Sequence, residues 1–217
     1  IEKPQEKPKP TFNFKPARTP SRYLVEATDL VIGYDTALTR PVTFKLERGK
    51  KMALKGVNGL GKTTLLKTIL GLLPPFSGKV EPGEFVEPGY FEQEDREKND
   101  KTALEDVWDA YPGLTNYQVR AALAGCGLTN EHITSKVFVL SGGEAAKVRL
   151  CKLMLKEVNW LVLDEPTNHL DVDAKEELKR ALIDFKGSVL LVSHEPEFYQ
   201  DWVDGVWNIE DWTTKII

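Results

Sequence analysis

The sequence predicts an α/β fold with a mostly parallel core sheet, an antiparallel β part and a helical lobe. From residue 160 onward, short apolar strands alternate with helical segments, which is typical of a parallel sheet. A glycine-rich loop at residues 56–63 lies between an apolar strand and a helical segment. A largely helical pattern at residues 102–158 predicts a second lobe attached to the sheet.

Local patterns predict the individual elements in chain order. Apolar runs bounded by glycine and proline predict strands at residues 23–27, 42–46, 51–55, 160–164 and 189–193. Helices are predicted at residues 62–70, 173–185 and 196–202, with one more beginning near Gly143. Thr102 and Gly127 are expected to begin and end the helical pair between them. Residues 78–91 predict short interrupted strands, and strand-like pieces follow around Val206 and Thr213.

The first 22 residues differ in composition from the rest. Five prolines and little apolar content predict a basic linker, disordered or extended, ahead of a folded domain at residues 23–217. We expect the helical lobe of that domain to span about residues 94–158. The linker carries a net charge of +4, which leaves −8 for the remainder of a chain whose net charge is −4. From charge alone, the linker either contacts a polyanion or is simply solvated, and both interpretations stay open.

Composition excludes several classes of protein. No run of 18 or more apolar residues occurs, so the sequence contains no membrane span of its own. The first residues alternate lysine, glutamate and proline, a pattern unlike a signal peptide, and a cytoplasmic location is expected. A net charge of −4 argues against a domain that coats nucleic acid with its whole surface.

Residues 56–63 match the phosphate-loop pattern, a glycine followed by four residues and then Gly-Lys-Thr. Glycines let successive backbone N–H groups turn toward a phosphate, and the positive end of the following helix adds to the attraction. Lys62 can reach the β- and γ-phosphates of a nucleotide, and the Thr63 hydroxyl can bind Mg²⁺. The residues predicted to hold the nucleotide here are Gly56, Asn58, Gly59, Gly61, Lys62, Thr63 and Thr64. The alternative is a glycine-rich turn that binds nothing, which the flanking strand and helix disfavour.

The apolar strand at residues 160–164 ends in one carboxylate, Asp164, and a second, Glu165, follows directly. A buried parallel strand delivers its carboxyl end to the sheet edge where phosphates bind. Asp164 is therefore expected to hold Mg²⁺, directly or through its water. Glu165 is expected to take a proton from the attacking water, a role that needs a positioned carboxylate. The alternative is a solvated loop after a core strand.

Residues 140–144, Leu-Ser-Gly-Gly-Glu, separate this chain from other proteins with a phosphate loop. They resemble the signature motif of the ATP-binding-cassette (ABC) family. In that family the motif contacts the γ-phosphate bound to the opposite cassette, which implies that Ser141, Gly142 and Gly143 bind nucleotide. Physically, these residues offer hydrogen-bond donors at the positive end of a helix. As an isolated string, the motif could be only a helix cap.

Other residues stand where the resemblance places family landmarks. Gln93 matches the glutamine that links the two lobes and reaches toward Mg²⁺ or the attacking water. His194 matches the histidine that contacts the γ-phosphate. Tyr34 matches the aromatic side chain that stacks on adenine, although a core or surface tyrosine is the alternative. Residues 168–171, Asn-His-Leu-Asp, match the loop that communicates across a cassette dimer.

Within the family, two stretches resemble the F subfamily (ABC-F). Residues 164–171 carry Asn-His where transporter cassettes usually have Ser-Ala or a similar pair, and residues 193–199 also resemble this subfamily. The basic leader resembles the end of the linker between two cassettes, which would make this chain the second cassette. One departure is Ala145, where the family usually has glutamine, and it leaves the strength of the contact across the dimer in doubt.

The resemblance implies an enzyme that hydrolyses ATP to ADP and phosphate with Mg²⁺. Two cassettes would sandwich two ATP molecules, so the implied partner is a second cassette, on the same chain or in a homodimer. ABC-F membership implies a further partner, the ribosome with its rRNA and tRNA, and a role in translation or antibiotic resistance. The alternatives are the ATP-binding subunit of a membrane transporter and an ATP-gated binding module without turnover.

Overall fold

The structure, a computed structural model, describes residues 6–93 and 98–214. The chain forms two compact units. The helical unit comprises Ile1–Lys15, Gln93–Lys156 and Pro166–Asp184. The sheet unit comprises Pro16–Glu92, Glu157–Glu165 and Phe185–Ile217.

Strands and helices occur in runs in the first part of the described chain and alternate one by one from residue 160 onward. The strands are β1 (Lys15–Pro16), β2 (Tyr23–Val31), β3 (Val42–Glu47), β4 (Lys51–Lys55), β5 (Ser77–Pro82), β6 (Pro88–Phe91), β7 (Glu157–Val158), β8 (Trp160–Asp164), β9 (Ser188–Val192) and β10 (Gly205–Asn208). The helices are α1 (Lys62–Ile69), α2 (Ala103–Ala110), α3 (Asn116–Gly125), α4 (Asn130–Thr134), α5 (Gly142–Met154), α6 (Val172–Asp184) and α7 (Pro196–Tyr199). The predicted α/β class is confirmed.

A five-stranded parallel sheet organises the sheet unit, in the order β10-β4-β9-β8-β6. Its register aligns the ends of three strands, because Val192 of β9 lies opposite Leu54 of β4 on one side and Asp164 of β8 on the other. The carboxyl ends of β4, β9 and β8 therefore meet at one edge of the sheet. Every residue of β8 and β9 is buried, which explains their continuous apolar sequences.

A three-stranded antiparallel sheet, in the order β3-β2-β5, also belongs to the sheet unit and confirms the predicted antiparallel part. Its apolar side chains join those of α1 and the parallel sheet in one core. That core includes Leu24, Leu30, Leu54, Leu65, Leu66, Val162 and Leu190. At its margin, the Phe44 ring lies 4.9 Å from Trp207 and 5.8 Å from Trp212, centroid to centroid. These aromatic pairs join β3 to the end of the chain.

Four consecutive helices of the helical unit, α2 to α5, begin with the same reciprocal cap. In each, the N-cap residue is a threonine or serine whose hydroxyl accepts a hydrogen bond from the backbone N–H of the third helical residue. The side chain of that third residue in turn accepts a hydrogen bond from the backbone N–H of the N-cap residue. The N-cap residues are Thr102, Thr115, Thr129 and Ser141. Each cap of this kind contributes about 1 kcal/mol to helix stability. Such caps matter in this unit because several of its helices are too short to be stable alone.

The N-terminal stretch buries two aromatic side chains within the helical unit. Phe12 is fully buried and Phe14 is 6% exposed. The backbone of Phe12 is held on both sides, since its N–H donates to Glu177 Oε1 at 2.9 Å and its oxygen accepts from Arg180 at 2.8 Å. Composition alone did not predict this packing. The domain boundary at residue 22 stays a prediction.

Several predicted boundaries shift by a residue or more. The helix predicted at residues 196–202 ends as α7 at Tyr199, because the chain tightens into a turn in which Trp202 N–H bonds Tyr199 O at 3.2 Å. Up to residue 214, where the description of the chain stops, the structure shows at Thr213 an isolated bridge to Thr39 in place of a strand. The short helix α4 is an addition that the sequence pattern did not predict.

Within residues 6–93 and 98–214, each helix is too short or too polar to cross a membrane.

We expect Phe12→Ala to lower the free energy of unfolding by about 3–5 kcal/mol, the cost of emptying a fully buried aromatic site. Tyr117→Ala is the matched control, since Tyr117 lies in the same unit and is 81% exposed, and we expect a change within about 0.5 kcal/mol. Urea unfolding followed by circular dichroism measures both. Equal stability of the two variants would show that the N-terminal stretch does not pack on the helical unit.

Candidate active site

The phosphate loop follows β4 and leads directly into α1. Lys62, the first residue of α1, is 6% exposed and turns back over the loop. Its ammonium donates to Gly56 O at 2.6 Å and to Val57 O at 3.0 Å. Gly61 stands at the N-cap of α1 with φ +100°, and it offers no side chain that could occupy the helix end. The amides at this end of α1 are therefore directed at whatever enters the loop.

The turn at residues 208–210, where β10 ends, contacts the first residues of the phosphate loop. Gly56 has φ +139°, and a Cβ at this position would lie 2.5 Å from Ile209 Cγ2. The Glu210 carboxylate accepts the Val57 N–H at 3.2 Å, and Asn208 Oδ1 accepts the Glu210 N–H at 3.1 Å. Glu210 was not predicted from the sequence, because it lies 153 residues from Val57 and matches no motif.

Asp164 and Thr63 meet at the carboxyl edge of the parallel sheet. The Thr63 hydroxyl donates to Asp164 Oδ2 at 2.6 Å. Asp164 ends β8 and is 1% exposed, while Thr63 belongs to the first turn of α1. Two oxygen atoms from separate elements, each of a type that can coordinate a cation, therefore lie close together beside the phosphate loop.

Burial and neighbouring charge act against each other in this volume. Burial lowers the pKa of Lys62, and the carboxylates of Glu165, Asp164 and Glu210 oppose that shift. Burial likewise raises the pKa of Asp164; the Thr63 hydrogen bond and Lys62 favour its charged form, while Glu165 disfavours it. A bound cation would favour the charged form of Asp164 further.

Glu165 and His194 follow neighbouring strands and contact each other. Glu165 has φ +49°, a strained value for this residue type, and its N–H donates to Val192 O at 2.9 Å. His194 Nε2 lies 2.9 Å from Glu165 Oε1 and 2.9 Å from Asn58 Oδ1. The histidine therefore joins a carboxylate after β8 to the phosphate loop after β4.

Two further side chains near this edge were not predicted. Lys67 of α1 forms an ion pair with Glu92 at 2.6 Å, and the Glu92 hydrogen bond raises its pKa. The Tyr90 hydroxyl is buried and has no hydrogen-bond partner among the described residues. Burial raises the pKa of Tyr90, and the charges of Asp164 and Glu92 add to the shift. Tyr90 is consequently a neutral hydroxyl in the field of two carboxylates.

The remaining predicted residues of the nucleotide site are placed less tightly. Tyr34 follows β2 and is 62% exposed, so its ring is accessible to a ligand. Thr64 is buried in α1, and Gly59 of the phosphate loop has φ +82°. Gln93 is exposed and follows Glu92 directly; it belongs to the helical unit, whereas the phosphate loop belongs to the sheet unit.

The signature residues begin α5 in the helical unit. Ser141 is the N-cap, its hydroxyl accepting Glu144 N–H at 3.2 Å while Glu144 Oε2 accepts Ser141 N–H at 2.7 Å. Gly142 is needed for space, because a Cβ there would lie 2.6 Å from His169 Cγ. His169 holds φ +68° next to this glycine, and the Gly143 backbone approaches its carbonyl oxygen. The motif and the loop at 168–171 are thus packed together.

The chain therefore carries two distinct sets of candidate ligand-binding groups. The sheet unit holds a phosphate loop, two carboxylates and a histidine, which can bind phosphates and position a water. The helical unit holds a helix N-terminus with a hydroxyl and two glycines, next to a cavity of about 480 Å³ lined by Ser141, Gly143 and His169.

Comparison with known proteins assigns the family. Residues 39–168, more than half of the chain, match the family model described as ABC transporter. The chain therefore belongs to this family, and it is an ABC ATPase cassette.

Two curated relatives show where in the family the chain stands. An uncharacterized ABC transporter ATP-binding protein, YfmM of Bacillus subtilis, is 61% identical over 217 residues, which is 100% of this chain and 42% of that protein. ABC transporter F family member 2 of Arabidopsis thaliana is 40% identical over 97% of this chain and 32% of that protein. The relatives thus include F-family members, and the chain spans less than half the length of either protein.

A solved structure supports the fold assignment. An ATP-binding cassette described as a dimer in a post-hydrolysis state, bound to ADP and Pi, superposes with a TM-score of 0.72. The match covers 85% of this chain and 93% of the other, at 19% identity. This likeness confirms the ABC-type cassette fold.

We expect Gly142→Ala to lower the free energy of unfolding by about 1–3 kcal/mol, because the added methyl group overpacks against the His169 ring. Gly125→Ala is the matched control. Gly125 ends α3 in the same unit, and a Cβ there would meet nothing within 4 Å. We expect a gain of up to about 1 kcal/mol from it. Urea unfolding separates the two changes, and a neutral Gly142→Ala would contradict the tight packing of the motif on His169.

Proposed function

We propose that this cassette binds ATP with Mg²⁺ and hydrolyses it to ADP and phosphate. The observation that carries the proposal is the 2.6 Å contact between Thr63 and Asp164 beside the phosphate loop. Lys62 and the loop amides, including those of Gly59 and Gly61, bind and neutralise the phosphates. The exposed ring of Tyr34 stacks on the adenine.

The ligands at the sheet edge fit Mg²⁺. Thr63 and Asp164 present oxygen atoms, the ligand type that this ion prefers. A bound cation would also offset the free-energy cost of burying the charged Asp164 carboxylate. Gln93, exposed directly after Glu92, is the third proposed ligand. Mg²⁺ bound to these residues would neutralise the charge of the β- and γ-phosphates.

The proposed chemistry is proton abstraction from a water that attacks the γ-phosphate. Glu165 accepts that proton, since its side chain is 15% exposed and its backbone is fixed by the Val192 bond. His194, 2.9 Å from Glu165, positions the carboxylate and contacts the γ-phosphate. Removal of the Glu165 carboxylate should leave ATP binding intact and stop turnover.

The complete site requires a second cassette. Ser141, Gly142 and Gly143 would close on nucleotide held by the phosphate loop of another cassette, in the same longer protein or in a homodimer. The dimeric solved cassette is the precedent for the pairing, although it supports only the fold at its level of identity.

The wider role we propose is that of the second cassette of an ABC-F protein that acts on the ribosome in the cytoplasm. F-family relatives that match nearly all of this chain support it, as do the Asn-His pair at residues 168–169 and the basic N-terminal stretch. In this arrangement residues 1–22 are the end of the linker between cassettes, and rRNA or tRNA is the polyanion that the linker contacts.

Ribosome co-sedimentation of the intact longer protein tests this role. The variant to use carries Glu165→Gln and the equivalent change in its other cassette. It should pellet with ribosomes at least about tenfold more in the presence of ATP than in its absence, because it binds ATP without hydrolysing it. Lys62→Ala, which removes the phosphate-binding ammonium, is the control and should remove the ATP dependence. If Glu165→Gln protein binds ATP yet does not pellet, the ribosomal role is wrong and a transporter partner becomes the better hypothesis.

A further inference from the structure

Two helix caps in the helical unit are connected through one histidine. In the cap of α4, His132 occupies the third helical position, and its Nδ1 accepts the Thr129 N–H at 3.2 Å. His132 Nε2 lies 3.0 Å from Glu144 Oε1. Glu144 is the corresponding residue in the cap of α5, where its other oxygen accepts the Ser141 N–H at 2.7 Å. One continuous path of hydrogen bonds therefore runs from Thr129 to the signature motif.

The geometry assigns the proton on the His132 ring. Because Nδ1 accepts a backbone N–H, that nitrogen carries no proton, and the neutral ring must carry its proton on Nε2. The Nε2–H then donates to Glu144. This contact needs no positive charge on the ring, so it is a directional hydrogen bond to a carboxylate, the stronger class of such bonds.

Glu144 depends on its neighbours for its position. Its side chain is 28% exposed and that of His132 is 29% exposed. Partial burial raises the pKa of Glu144, but the hydrogen bonds from Ser141 and the positive charge of Lys147 favour the carboxylate, and the pKa lies below its ordinary value. A carboxylate with one oxygen on His132 and the other on the Ser141 amide is held at both ends.

We propose that His132 is a positioning residue for the signature motif. Its Nε2–H fixes the Glu144 carboxylate, which fixes Ser141 and, with it, the N-terminal amides of α5 that would receive a phosphate from a second cassette. His132, Glu144, Ser141 and Gly143 line the same 480 Å³ cavity, so the connection reaches the surface where that phosphate would arrive. The functional consequence rests on the function proposed above, whereas the positioning itself does not.

Two substitutions separate positioning from ordinary helix capping. Glu105 fills the third position of the cap of α2 and Gln118 fills it in α3, so both side chains cap a threonine in this same unit. His132→Glu therefore keeps the cap of α4 but places a carboxylate against Glu144 in place of a donor. His132→Gln keeps the cap and, through its NH₂ group, also keeps the donor to Glu144. If His132 serves only to cap α4, the two variants should behave alike.

Amide hydrogen exchange measured by NMR reads the positioning directly. We expect His132→Glu to raise the exchange rate of the Ser141 amide by about fivefold or more, and His132→Gln to leave it within about twofold of wild type. The Thr129 amide is the internal control and should be unchanged in both. Equal exchange at Ser141 in wild type and His132→Glu, or equal increases in both variants, would overturn the proposal.

The unsubstituted protein offers a test that does not depend on the folding of any variant. Nitrogen chemical shifts of the His132 ring at neutral pH should show the Nε2–H tautomer. Finding the proton on Nδ1 would overturn the proposal, because Nε2 could then not donate to Glu144.

The consequence for function is measured in the Glu165→Gln background. His132→Glu should weaken ATP-dependent self-association of the chain by about tenfold, His132→Gln should restore it, and nucleotide affinity of the monomer should not change. If no variant associates in ATP, the proposed pairing of cassettes fails, and the exchange and tautomer results still decide the role of His132. Association unaffected by His132→Glu, where wild type does associate, would contradict the inference alone.

Discussion

The register of three parallel strands is the constraint on which the site depends. Because Val192 lies opposite both Leu54 and Asp164, the chain leaves β4, β9 and β8 at the same level of the sheet. The phosphate loop follows β4, His194 follows β9, and Asp164 and Glu165 stand at the end of β8. A slip of one residue in the pairing of β8 with β9 would turn Asp164 to the opposite face of the sheet. β8 and β9 are completely buried, and this burial stabilises the register, because a slip would disrupt the packing of their apolar side chains in the core.

Two of the four non-glycine residues with positive φ in the described part of the chain lie where the chemistry is expected. These two residues, Glu165 and His169, both lie in the segment between β8 and α6. A conformation of this kind costs on the order of 1–3 kcal/mol, and surrounding contacts must hold it in place. The bond from Glu165 N–H to Val192 O is one such contact, and packing of the His169 ring on Gly142 is another. The first contact links Glu165 to β9, which leads to His194, and the second links His169 to α5, which begins with the signature motif.

Sequence motifs predicted those parts of the site that are local in the chain. The loop before α1 and the carboxylates after β8 are each defined by a few consecutive residues, and the strand and helix around them follow from apolar runs and from capping residues such as Thr102. Contacts made by residues outside the recognised motifs were not predicted, because no local pattern encodes them. Glu210 beneath the phosphate loop, the buried Phe12 and the connection from His132 to Glu144 all arise from packing. The helix α4, at five residues, is too short for a periodic pattern to show.

The central claim is that this chain supplies the phosphate loop of one nucleotide site and the signature motif of another, so that two cassettes are needed to complete either site. The phosphate loop lies in the sheet unit and the signature motif in the helical unit. The most direct test of the claim is the steady-state rate of ATP hydrolysis per chain, measured with Mg²⁺ over a wide range of chain concentration. If catalysis requires two cassettes, the rate per chain rises in proportion to concentration at low concentration and levels off once pairs predominate. A rate per chain that stays constant, in samples shown by sedimentation to be monomeric with ATP bound, would contradict the claim.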